Sequence, residues 1–401
     1  MSLTSRSRWL VGIGALGLLL ALTPFVPRGA DEDDALRPSR DDRALLPANA
    51  VGASRLTAET RAEIERVVSA GRRLGRADSK AGLVRAAASA VRCADLAGQR
   101  YCLGIGWTTD SQGSVRARVA AAARPGSDPS TERTGDLDAY GALARTVRME
   151  PSRRAAAERA ELVEAARSVA KVWLLRHELQ GAALPDDFLE QHPEARASTS
   201  VSRTAARAKT AADYPRRSTV LRGRDVREQR RRLWCGPATM QAIAAGWHGQ
   251  PRRQRYWAHR MGTTRDGTAI TDLVRTVNRA TGYDRPRRAG RYITLDVGDW
   301  SYRQWSLLMM RHIHDYRAPV VLHPVLRQRY FTYLDDDASG HFQVGRGYDK
   351  NGRGPLLLGY LEPWNQQRFD PSEPFVRRVQ WRGAYRSYRA NQAHPMHNVG
   401  V

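Results

Sequence analysis

Lysine is almost missing from this 401-residue chain: Lys80, Lys171, Lys209 and Lys350 stand alone among 65 basic residues. Arginine supplies the rest and is spread over the whole length. The formal net charge of +24 therefore gathers into no single basic stripe. A nucleic-acid groove needs such a stripe, so no specific nucleic-acid partner is expected. Charge of this size still attracts polyanions without specificity, and the expectation is association with an anionic cell envelope. Long apolar runs are equally scarce: beyond residue 26 no segment is apolar enough to cross a membrane. No internal repeat is present. Cysteine occurs three times, as Cys93, Cys102 and Cys235, which allows one intrachain disulfide and leaves one thiol over.

The first residues carry an export pattern. Arg6 and Arg8 precede an uncharged, mostly apolar stretch over residues 9–26, followed by Pro27, Arg28, Gly29 and Ala30 and then an acidic run. Residues 1–30 read as a signal peptide, or as an N-terminal anchor left uncleaved because Arg28 occupies a position where a small residue is preferred. The protein is therefore expected to be secreted or extracytoplasmic, where a Cys93–Cys102 disulfide persists and Cys235 remains the odd thiol. Gly98 would turn the hairpin between the paired cysteines, with Tyr101 to Trp107 continuing as one strand. Residues 31–55 read as a disordered tail. Residues 56–182 form an N-terminal region with helices, including one unbroken helix from Pro151 to Leu179. Residues 183–222 have the Ser, Thr and Ala composition of a linker, and 223–401 read as one mixed α+β domain.

Cys235 sits where a nucleophile needs to be. Gly236 and Pro237 open a helix behind it, and Met240, Ile243, Ala244 and Trp247 follow at the spacing of one buried face. Free backbone donors and the positive end of the helix dipole at that position favour thiolate over thiol. A thiol nucleophile also needs a base, a group that orients the base, and donors for the oxyanion. His341 opens the strand-like run Phe342, Gln343, Val344 behind a turn. The next apolar run, Leu356 to Leu361, delivers Glu362, the choice for orienting the imidazole. Asn365 is the alternative, and Asp349 ranks third. Gln229, six positions before Cys235, can supply a side-chain oxyanion donor. His312 and His314 lie two apart on an expected helix and do not share a face, so with His323 they make no metal site. No metal or cofactor is expected.

The order Gln229, Trp234-Cys235-Gly236-Pro237-Ala238, Gly340-His341-Phe342-Gln343-Val344, Gly347-Tyr348-Asp349 and an acid before Pro363 resembles the bacteriocin-processing-peptidase-like branch of the papain-fold cysteine peptidases. Met261-Gly262-Thr263-Thr264, Asp266-Gly267-Thr268 and Ala318-Pro319-Val320-Val321 add to it. The resemblance spans roughly residues 229–363. It implies a papain-like fold, an active-site helix packed on an antiparallel sheet, with Cys235 as nucleophile and His341 as base. It further implies an acid or amide orienting the histidine, and Gln229 lining the oxyanion hole. The family usually has aspartate where this chain has Glu362, and the His341-to-Glu362 stretch is longer here. The expected function is an exported peptidase or amidohydrolase acting on a peptide or protein. The alternatives are a non-catalytic envelope-binding protein that keeps the fold, and a thiol acyltransferase.

Overall fold

The computed structural model describes residues 44–74, 86–123, 132–197, 209–249 and 252–401. The expected signal over 1–30 lies outside them, as do residues 31–43 of the expected tail and 198–208 of the expected linker. No helix among the described residues is long and apolar enough to cross a membrane.

One sheet organises the chain. Its strands are β1 (Cys93–Leu96), β2 (Gln99–Cys102), β3 (Gly106–Trp107), β4 (Arg217–Thr219), β5 (Thr294–Asp296), β6 (Val320–Leu322), β7 (Gln343–Asp349), β8 (Leu357–Leu361), β9 (Val379–Gly383) and β10 (Asn398–Gly400). They lie in the order β1-β2-β3-β5-β10-β6-β7-β8-β9, and β4 pairs with β7. All the pairings are antiparallel except that of Trp107 in β3 with Leu295 in β5. The two faces of the sheet carry separate apolar clusters. Val320 and Leu322 join one, and Val321 between them joins the other, as the two-residue period of a strand requires. The Cys235–His248 helix lies on the Val321 side, and Tyr302–His314 lies on the opposite side with Trp305, Leu308 and Met309 buried. The result is an α+β fold with a helix packed on a mostly antiparallel sheet.

The N-terminal region is built into that sheet. Ala97 and Gly98 turn the β1–β2 hairpin with φ of 48° and 75°, the left-handed pair that a tight two-residue turn requires. Cys93 and Cys102 are cross-strand partners and are bonded. The strand expected from Tyr101 to Trp107 is instead two short strands folded back on each other. Gly104, at φ 73°, makes the reversal, and its N–H donates to Glu161 Oε1 (2.7 Å). β3 then enters the same sheet as the strands of residues 223–401, and both core clusters draw on both halves of the chain. Residues 56–182 are thus part of one compact unit with the C-terminal half.

Two further expectations are corrected. The helix expected from Pro151 to Leu179 is two, Pro151–Ala166 and Val169–Gln180. Ser168 Oγ donates to Ala165 O (2.8 Å), offering the backbone a local alternative to the helix ladder. The expected linker contains β4, whose Arg217, Ser218 and Thr219 pair with Asp349, Tyr348 and Gly347. A short polar strand carries no apolar alternation, so only its partner reveals it.

Candidate active site

The Cys235–His248 helix begins at the cysteine, with Pro237 in its first turn where no backbone donor is needed, and stops at left-handed Gly249 (φ 74°). Residues 235 to 245 are buried all round, so the helix is held rigidly between its neighbours. Thr239 Oγ1 donates to Phe342 O (3.0 Å), tying the first turn to the residue after His341. His341 itself is held by its N–H donating to Pro324 O (2.9 Å), just ahead of β7.

Glu362 follows the last residue of β8, and the β7–β8 register brings it back toward the start of β7. Its Oε1 lies 2.7 Å from His341 Nε2 and accepts from Trp364 N (2.8 Å); its Oε2 accepts from Gln343 Nε2 (2.6 Å) and Tyr333 Oη (3.0 Å). Four hydrogen-bond contacts thus satisfy a wholly buried carboxyl group. In the tautomer whose Nε2–H donates to that carboxylate, His341 Nδ1 is the ring's acceptor nitrogen. It is buried without a hydrogen-bond partner. The extra methylene of glutamate spans the gap to the imidazole. Asn365 is turned away: its Nδ2 donates to Glu228, beside Arg368 and Arg378. Asp349 lies at the far end of β7, near Arg216 and Arg217.

Gln229 is fully buried, and its Nε2 donates to Arg232 O (2.6 Å), Arg231 O (3.3 Å) and Thr134 O (3.3 Å). The Cys235 N–H donates to the same Thr134 oxygen (3.4 Å). Two donors separated by six positions in sequence therefore converge on one peptide carbonyl.

The expected thiolate is corrected. Burial pushes the Cys235 thiol well above its ordinary range, and the negative charge of Asp136 adds to that. The Phe342 N–H, the Thr134 hydroxyl and the Gly236 N–H oppose it only in part. A helix start favours the anion, but complete removal from water outweighs it here.

Sequence reading missed the segment that carries Thr134 and Asp136, and it missed His394. Asp136 Oδ2 lies 2.9 Å from His394 Nε2, and its Oδ1 lies 3.2 Å from His323 Nε2. Burial opposes its charge, but the two imidazoles hold its carboxyl well below the usual range. Burial, reinforced by His323, pushes His394 down to about 4. The three residues present ligand atoms close enough to hold a cation; Asp136 Oδ2 is hydrogen-bonded to His394, while Asp136 Oδ1 and His323 Nε2 approach each other without a hydrogen bond. His312, buried, and His314, half-buried, lie apart from this group on the Tyr302–His314 helix. No local signal marks residues 132–137; their partners at the site are 95 or more positions away. A cavity of about 360 Å³ lies elsewhere, among Arg145, Glu158, Glu161, Asp272 and Arg275, and neither Cys235 nor His341 lines it.

The family model described as Peptidase_C39 like family matches residues 224–387, a span holding Gln229, Cys235, His341, Glu362 and Asn365 but not Thr134 or Asp136. No curated protein and no solved structure matches the chain. Over residues 224–387 the chain is thus similar to the Peptidase_C39 like family, and its helix packed on a mostly antiparallel sheet is consistent with the papain-like fold of that family.

Proposed function

We propose that this protein is a cysteine peptidase in which Cys235 is the nucleophile, His341 the base, Glu362 the orienting acid and Gln229 an oxyanion donor. The observation that carries the reading is the convergence of the Cys235 N–H and Gln229 Nε2 on one carbonyl oxygen, at the start of the helix that bears the thiol. Donors so placed are what a developing oxyanion requires. The His341–Glu362 contact supports the second half of the machinery.

In this scheme Cys235 Sγ attacks the peptide carbonyl carbon. The oxyanion forms under the Cys235 N–H and Gln229 Nε2. Because burial disfavours the free thiolate, the thiol proton moves to His341 Nδ1 as attack proceeds instead of resting there beforehand. Glu362 stabilises the imidazolium, which then protonates the leaving amine. Water resolves the thioester with His341 as base. Export of the protein belongs to the same proposal, supported by the N-terminal pattern of Arg6, Arg8 and the apolar stretch after them, and by the Cys93–Cys102 bond.

Hydrolysis of a peptide library tests the reading. It is run in buffer and in low urea, which opens weakly held segments without global unfolding. Cleavage is expected to fall by about 1,000-fold or more in Cys235→Ala and in His341→Ala. Equal cleavage by the chain and Cys235→Ala, or none under either condition, would sink it.

A further inference from the structure

Cys235, His341 and Gln229 are all fully buried. Over Cys235 and Gln229 lies the chain's own segment 132–137, whose Thr134 hydroxyl also donates to Gly340 O beside His341. It crosses the site extended, making backbone bonds to both walls. On one wall it pairs with Ala338: Ser339 N donates to Glu132 O (2.9 Å), and Thr134 N to Ser339 Oγ (3.1 Å). On the other it pairs with Thr268, whose N–H donates to Gly135 O (2.9 Å) and whose carbonyl accepts from Leu137 N (2.9 Å). Between these walls the Thr134 carbonyl fills the place of the oxyanion, and Thr134 Oγ1 lies 3.9 Å from Cys235 Sγ.

Two further observations belong to the same segment. Its one buried charge, Asp136, ends between two buried imidazoles. Asn398 Nδ2 donates to Ile105 O (2.8 Å), which turns Asn398 Oδ1 toward His323 Nδ1 (2.7 Å) and the other face of that ring, Nε2, toward Asp136. The fit also depends on glycine. Gly135 holds φ 107°, and a Cβ there would run into the Leu233 backbone; a Cβ on Gly340 would run into the Asp136 carboxylate and the His394 ring.

We propose that residues 132–137 are a built-in inhibitory strand, bound across the Cys235–His341 cleft as a peptide ligand would be and locked by Asp136 in the His323–His394 pocket. The proposal rests on the peptidase reading above. While the strand is in place it denies the oxyanion donors and the thiol to any other peptide, and the enzyme is latent. When it leaves, the cleft is freed for an extended peptide, with the paired His323 and His394 imidazoles left facing a pocket fitted to a carboxylate side chain.

The test uses the full chain and two substitutions that loosen the strand differently: Gly135→Ala, which sets a Cβ against the Leu233 backbone, and Asp136→Asn, which removes the lock. Cys235 labelling is followed by mass spectrometry with iodoacetamide and with a bulky biotin–maleimide, alongside peptide hydrolysis; circular dichroism and melting temperature verify the fold. Both variants are expected to label about 10- to 100-fold faster with both reagents, and to cleave peptides faster by a similar factor, than the unaltered chain. Loss of the Asp136 charge alone eases thiol ionisation, which speeds the small reagent only. Faster iodoacetamide labelling confined to Asp136→Asn, or labelling of the unaltered chain as fast as free glutathione, would overturn the proposal. Brisk Cys235-dependent hydrolysis equal in all three proteins overturns the strand and leaves the peptidase reading standing. Faster labelling by both reagents without hydrolysis does the reverse.

Discussion

Glu362 is surrounded by donors: the His341 ring and Trp364 N–H on one oxygen, Gln343 and Tyr333 on the other. An amide in its place would turn a donor toward one of these pairs. Glu362→Gln is therefore expected to lower kcat by about 100-fold or more with little change in KM, because the wrong histidine tautomer is then favoured. Steady-state kinetics on any cleaved peptide would check it. Asn365→Ala, which disturbs only the half-buried Glu228 cluster, should leave kcat within about threefold. The thiol makes a second prediction. Burial and the Asp136 charge raise Cys235, so thiolate appears only well above the ordinary cysteine range. Alkylation of the unaltered chain should keep rising with pH beyond 9; a plateau below pH 7 would contradict it.

At the scale of elements, the β1–β2 hairpin shows how local chemistry sets a turn. Ala97 sits at φ 48°, a left-handed position that asparagine tolerates better than alanine, and its side chain is exposed. Ala97→Asn is expected to stabilise the protein by about 0.5–1 kcal/mol, read as a higher urea midpoint at constant m-value. The turn was legible from Gly98 between two cysteines. The break between Pro151–Ala166 and Val169–Gln180 was not, because alanine, glutamate and arginine continue through it. Ser168 ends the first helix by bonding backward to Ala165, a choice that packing of the second helix decides. β4 was likewise hidden, since a three-residue strand with a polar pattern exists only because β7 offers it an edge.

For the whole molecule, the sheet is the decisive object. The family-matched span ends at residue 387, short of β10, which lies between β5 and β6 in the sheet. β3 from the N-terminal half continues the sheet beyond β5. Lys171, on the Val169–Gln180 helix, is buried and donates to Ala289 O (2.9 Å), Arg291 O (2.5 Å) and Val401 O (3.1 Å), pinning the two halves together. A fragment of residues 223–401 would expose β5 as a bare edge and open both core clusters. It is expected to lack a cooperative thermal transition and near-ultraviolet circular dichroism. A fragment that melts as sharply as the full chain would show the halves to be independent.

The sequence by itself determined the parts that local rules govern: a helix starting at Cys235, a hairpin at Gly98, and His341 and Glu362 at facing ends of neighbouring strands. It also determined the order of residues that marks the family. Only the tertiary structure set Glu362 instead of Asn365 against the His341 ring, raised the Cys235 thiol instead of lowering it, and brought the Thr134 carbonyl to both the Cys235 N–H and the Gln229 amide. Periodicity and caps act over a few residues, through backbone bonds that close within a turn. Burial, neighbouring charge and the occupancy of a cleft depend on atoms brought from 95 or more positions away, and no window of sequence contains them.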